Sequence, residues 1–129
     1  MAQKEKDVLE EILTDETISD QAALFAALAD PTRLKLLQIL CRQEPPGCRC
    51  VNNLSYLLGI SQPGVSQHLR VLKSVGLVTG ERRGFRIHYF VNSEGLERFQ
   101  GILSAALQVT ESCEAGSCQN DCPSTQLKP

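Results

Sequence analysis

Six of the 129 residues are cysteines, and they are the side chains best equipped for chemistry. Cys48 and Cys50 form a C-x-C pair, Cys113, Cys118 and Cys122 cluster near the end, and Cys41 stands alone. Thiolates are nucleophiles and soft metal ligands, and both uses call for accessible, polar surroundings. Five of the six lie among Gly, Pro, Asn, Asp and Ser, which points to metal binding or redox chemistry. Cys41 continues the apolar face of a helix and is expected to act as a small core residue. Catalysis has little to draw on. There is no glycine-rich phosphate loop, and neither His68 nor His88 stands near a nucleophile and a carboxylate in a catalytic pattern, so no enzyme is expected.

A second group of residues suits a polyanion. Residues 1–30 carry two basic against eight acidic side chains, net −6. Residues 31–90 carry nine against two, net +7, and residues 91–129 carry two against five, net −3. The overall −2 therefore hides a basic middle, as a nucleic-acid partner for that segment requires. Within it, Gln62, Gly64, Ser66, Gln67, Arg70 and Lys73 follow one another with no acid between them. Such side chains donate to phosphates and to base edges.

The elements that must hold these residues can be read from periodicity and punctuation. Val8, Leu9, Ile12 and Leu13 stripe a short acidic helix, after which Thr14 to Thr17 are expected to break it and Ser19 or Asp20 to cap a second. Asp30-Pro31 is a cap followed by a first-turn proline, and Leu34, Leu37, Leu40 and Cys41 form the expected stripe of a third helix. Glu44-Pro45-Pro46-Gly47 enforces a loop. Val51, Leu54, Leu57 and Leu58 make a two-turn helix closed by Gly59, and Ser61 caps another whose inward stripe is Val65, Leu69 and Leu72. Two helices joined by Gly59, Ile60 and Ser61 match the helix-turn-helix pattern. After Gly76 the period changes to alternation. Leu77 to Thr79 and Phe85 to Val91 read as strands around a basic turn at Gly80 to Gly84, a wing bearing Arg82, Arg83 and Arg86. Asn92 or Ser93 begins a last helix with Leu96, Phe99, Leu103, Ala106 and Leu107 on one wide face.

The predicted fold class is therefore mainly α with a β-hairpin wing, a winged helix-turn-helix that dimerises through its terminal helices, whose apolar surface exceeds what one small core uses. The expected division is an acidic N-terminal helix over 1–18, the DNA-binding and dimerisation domain over 19–111, and a flexible cysteine-containing tail over 112–129. Apolar runs are too short to span a bilayer and the N-terminus does not read as a secretory signal, so a cytoplasmic location without membrane contact is expected. The predicted DNA-contacting set is Ser61, Gln62, Gly64, Ser66, Gln67, His68, Arg70, Lys73, Arg82, Arg83 and Arg86. The expected target is double-stranded DNA with an inverted repeat, bound by a homodimer.

Three stretches in order resemble the ArsR/SmtB metal-responsive repressors, over roughly residues 22–107. They are Leu28-Ala29-Asp30-Pro31-Thr32-Arg33-Leu34, Ser61-Gln62-Pro63-Gly64-Val65-Ser66-Gln67-His68-Leu69 and Leu72-Lys73-Ser74-Val75-Gly76-Leu77-Val78, followed by the basic hairpin through Tyr89. The resemblance implies a homodimeric repressor whose operator affinity drops when an effector binds. It also implies that Cys48 and Cys50, at the start of the first helix of the helix-turn-helix, are the sensor. Residues two apart on a regular helix point about 200° apart, so the pair needs non-helical backbone to grip one ion. Some arsenic sensors carry a third cysteine where this chain has Asn53, and the cadmium and lead type uses an N-terminal arm that here has no thiol. The missing ligand is expected from Cys113, Cys118 or Cys122. The family's C-terminal zinc and cobalt site needs paired histidines and carboxylates that are absent, and His68 and His88 are expected to be structural or DNA-facing. A thiolate set favours trivalent arsenic or antimony ahead of cadmium or lead as effector, with thiol oxidation or persulfidation as the alternative switch.

Overall fold

The chain's helix boundaries are set by short-range chemistry. In the computed structural model, which describes residues 2–44 and 49–109, helix α1 covers Ala2–Ile12, α2 Asp15–Leu28 and α3 Pro31–Cys41. Asp30 caps α3 by accepting from the backbone N–H groups of Thr32 at 2.8 Å and Arg33 at 3.0 Å. The Arg33 N–H bond, the largest cause, holds the Asp30 carboxyl below the ordinary carboxylate value. One expected boundary is corrected. Helix α2 starts at Asp15 under a Thr14 cap, whose Oγ1 accepts from Thr17 N–H, so Ser19 and Asp20 lie inside the helix and the expected seam at residue 18 falls within it. Threonine is itself a good cap, and the acidic Asp15 and Glu16 favour a first turn.

A two-residue strand, β1 (Arg49–Cys50), precedes α4 (Val51–Leu58), α5 (Gln62–Ser74), the hairpin of β2 (Val78–Arg83) and β3 (Arg86–Val91), and α6 (Ser93–Ala106). Gly59 closes α4 at φ +67°, a left-handed conformation that glycine adopts without the steric cost of a Cβ. The hairpin is longer than expected. Gly80 to Arg83 continue β2, and only Gly84 and Phe85 turn, because pairing extends to Arg83 against Arg86. The antiparallel sheet has the order β1-β3-β2. β1 had no sequence signal of its own, since a strand of two residues exists only through its partner.

Leu36, Leu37 and Leu40 of α3, Leu54 of α4, Val65, Leu69 and Leu72 of α5, and Leu77 and Val78 form the core. The inward stripe of α5 is the expected one. On α3 the buried face is turned by about one residue, so Leu36 is buried while Leu34 and Cys41 are exposed. Cys41 is therefore not the core residue expected of it. Leu57, expected inward on α4, is also exposed. Among the described residues no helix is long and apolar enough to cross a membrane.

A tight joint ties the end of α5 to α6. Gly76 has φ +79°, Leu77 C=O accepts from Asn92 N–H at 2.9 Å, and Asn92 Nδ2 donates to Gly76 C=O at 2.9 Å. A Cβ placed on Gly95 would fall 1.8 Å from the Gly76 carbonyl oxygen. Asn92 precedes α6 as its cap residue, yet its side chain serves this joint rather than the helix.

Candidate nucleic-acid interface and sensor

Helix α5 shows one face to solvent because its apolar residues all turn inward. Ser61 caps it through Oγ, which accepts from Gly64 N–H at 3.2 Å. Gln62, Ser66, Gln67, Arg70 and Lys73 are exposed along the free face, while Gly64 is half-buried under the cap. His68 is also half-buried, with Nδ1 3.4 Å from Nη1 of Arg33. Arg33 in turn donates through Nε to Ala27 C=O at 2.6 Å and through Nη2 to Ala26 C=O at 3.4 Å. It thereby satisfies the open Ala27 carbonyl at the end of α2, adds a second bond to the Ala26 carbonyl that already accepts from Ala29 N–H, and links that helix to α5.

All three wing arginines are exposed. Arg83 and Arg86 are register partners and so share one face of the hairpin, with Arg82 on the other. Arg83 also lies 3.2 Å from Glu81 and 5.5 Å over the Phe90 ring. Phe85, read as part of a strand, stands fully exposed at the tip. Tyr56 of α4 is similarly exposed, and the only sequence signal for it is its place off the Val51, Leu54, Leu58 stripe.

Cys50 is the residue before α4, with extended backbone at φ −101° and ψ 171° and a half-buried side chain. The backbone at Cys50 is thus extended rather than helical. A cleft of about 340 Å³ brings Cys50 and Asn52 together with Gln62 and Ser66 of α5 and Arg86 and Tyr89 of the wing. Across it, Gln62 Nε2 donates to Asn52 Oδ1. Asn53 is engaged separately, accepting from Arg49 Nη1 at 3.1 Å. Asn52 was not among the expected site residues. Its role depends on the angle between two helices, which spacing along the chain does not report. Cys48, Cys113, Cys118 and Cys122 lie outside the described residues, and among those described no three His, Cys, Asp or Glu side chains gather as a metal site.

Comparison with known proteins agrees with this architecture. Residues 30–79 match the model for bacterial regulatory proteins of the arsR family. The chain is 49% identical over 70 residues to a probable mercury resistance operon repressor of Streptomyces lividans, covering 54% of this chain and 53% of that protein. It is 35% identical to the arsenical resistance operon repressor of Bacillus subtilis, covering 64% of this chain and 73% of that one. Against three curated relatives, the Streptomyces repressor among them, the match spans 52% to 61% of their length. The homodimeric winged helix-turn-helix DNA-binding domain of a possible ArsR-family regulator from Mycobacterium bovis superposes with a TM-score of 0.55 at 29% identity, over 69% of this chain and 80% of that one. These are regulators and repressors rather than enzymes. On fold, motif order and identity, the chain belongs to the ArsR family of bacterial regulatory proteins.

Proposed function

We propose that the chain is a homodimeric, ion-released repressor of operator DNA, reading bases with Gln62, Ser66 and Gln67 and gripping phosphates with Arg70, Lys73, Arg82 and Arg86. The effector is a soft thiophilic ion held by Cys48 and Cys50 with one or more of Cys113, Cys118 and Cys122. Trivalent arsenic or antimony leads, with cadmium and lead behind it. The relative named for mercury resistance adds mercury(II) to the same soft class. Thiolates suit all of these ions, and three sulfurs suit a pyramidal trivalent centre.

One observation carries the reading. Cys50 stands two residues before Asn52, and Asn52 bonds Gln62, the first residue of the reading helix. A shift of backbone at Cys50 therefore reaches α5 through one hydrogen bond. Asn53, at the position of some sensors' third cysteine, is committed to Arg49, which favours a ligand from the tail.

The test selects operator DNA from a random duplex pool with the reduced protein, then titrates arsenite, antimonite, mercury, cadmium and lead against the complex. Cys48→Ser and Cys50→Ser are expected to bind operator normally and to resist release. Ending the chain at Thr110 should preserve repression and weaken the response to arsenite. Release at parental arsenite concentrations from either serine variant overturns the sensor assignment, and failure to select any DNA overturns the repressor.

A further inference from the structure

We propose that His88 is a nitrogen ligand of the sensor, paired across the sheet with Cys50 in a mixed imidazole–thiolate site for a divalent cation of the zinc, cobalt and cadmium class. The proposal rests on Cys50 being a sensor thiol and adds to it a ligand and a cation class.

Cys50 of β1 and His88 of β3 are direct register partners. Direct partners in an antiparallel pair project from one face of the sheet with Cβ atoms roughly 4.5–5.5 Å apart. Bonds of about 2.0 Å to an imidazole nitrogen and about 2.3 Å to a thiolate fit within that spacing. The imidazole is also in need of a partner: His88 Nδ1 is buried and bonded to nothing among the described residues. It is one of three such atoms, with Gln43 Oε1 and Arg49 Nε, but Arg49, next to Cys50 on β1, projects from the opposite face of the sheet. Arg49 is the other residue of β1, paired with Tyr89, and Gln43 Nε2 donates to Tyr89 C=O at 3.3 Å. Buried polar atoms are rarely left unpaired, so the open His88 nitrogen, on the same face as Cys50, marks a place where something binds.

Neighbouring groups do not fill the role. Glu81, the partner of His88 on its other flank, turns to Arg83 at 3.2 Å. Asn53 accepts from Arg49. The donor set then separates effectors, because imidazole with thiolate suits zinc-like and cadmium-like cations while trivalent arsenic prefers sulfur alone. A ligand on β3 also ties the start of α4 to the strand that carries Arg86, so a divalent ion would act on reading helix and wing together.

The test uses the reduced full chain with cobalt(II) as the spectroscopic probe. His88→Asn should weaken cobalt binding by about tenfold or more, since losing even a group that only orients a ligand costs about 10–100-fold. It should also shift the ligand-field bands and leave release by arsenite unchanged. His88→Cys should retain cobalt and gain thiolate-to-cobalt charge-transfer intensity. If His88→Asn proves unfolded by circular dichroism, the cysteine variant carries the test alone. Parental cobalt affinity and spectrum in folded His88→Asn, or no added charge transfer in His88→Cys, overturns the proposal. Loss of the arsenite response in folded His88→Asn does so too, by making the imidazole structural. Cys50→Ser separates the two readings: it should lower the charge-transfer intensity, and if it does while His88 variants have no effect, the sensor stands and His88 falls. Unchanged charge transfer in Cys50→Ser removes both.

Discussion

One of the three wing arginines is already occupied. Arg83 faces Glu81 and lies over Phe90, whereas Arg82 and Arg86 make no ion pair among the described residues. The Arg83 pair is exposed and therefore weak, yet it has to be exchanged before the guanidinium meets a phosphate. Each phosphate contact adds about 0.9 to the slope of log affinity against log salt. Arg82→Ala and Arg86→Ala should each lower that slope by about 0.9 per protomer, and Arg83→Ala by less, in fluorescence-anisotropy titrations across a salt series. Equal losses from all three would show that the Glu81 contact is immaterial. The sequence made the three charges and their sign plain. It did not reveal which was engaged, because Glu81 and Phe90 reach Arg83 through hairpin pairing that runs past the glycine at residue 80.

At the scale of the element, the link that matters joins α4 to α5. Ion-driven coupling between sites typically spans about 1–3 kcal/mol, and one hydrogen bond contributes on the order of 1 kcal/mol. Asn52→Ala should therefore leave ion binding intact and shrink the ratio of operator affinities without and with ion by about fivefold. Anisotropy titrations at saturating arsenite and in its absence measure this, and an unchanged ratio would mean that Cys50 reaches α5 by another route. Elements whose ends depend on neighbours in the chain were legible: Asp30 before α3, Gly59 after α4 and Ser61 before α5 announce themselves by local hydrogen bonding and φ. Those that depend on distant partners were not. β1 exists because Arg49 and Cys50 find Tyr89 and His88, and the buried face of α3 is set by what packs on it, which exchanged Leu34 and Cys41 for Leu36.

The whole molecule has an uncovered face. Helix α1 buries none of its own residues, and its Val8, Leu9 and Ile12, with Leu13 just beyond it, are about half exposed. A second protomer is the occupant this reading assigns. Burying a leucine or isoleucine contributes roughly 1.5–3 kcal/mol, so Leu9→Glu with Ile12→Glu should raise the dimer dissociation constant at least about a hundredfold. Sedimentation equilibrium would register it, with operator affinity falling alongside, and a dimer of parental strength would move the interface off α1. The joint between Gly76 and Gly95 bears on what such a dimer can do. The Gly76 carbonyl sits where any larger side chain at Gly95 would have to go, and two Asn92 bonds hold the end of α5 against α6. In a dimer joined through the terminal helices, this joint would help to hold the span between the two copies of α5. Under the proposed function, an effector at Cys50 would work from the opposite end of α5, at Gln62, as a tilt about that joint. On that proposal, operator release would come from presenting the right spacing at the wrong angle.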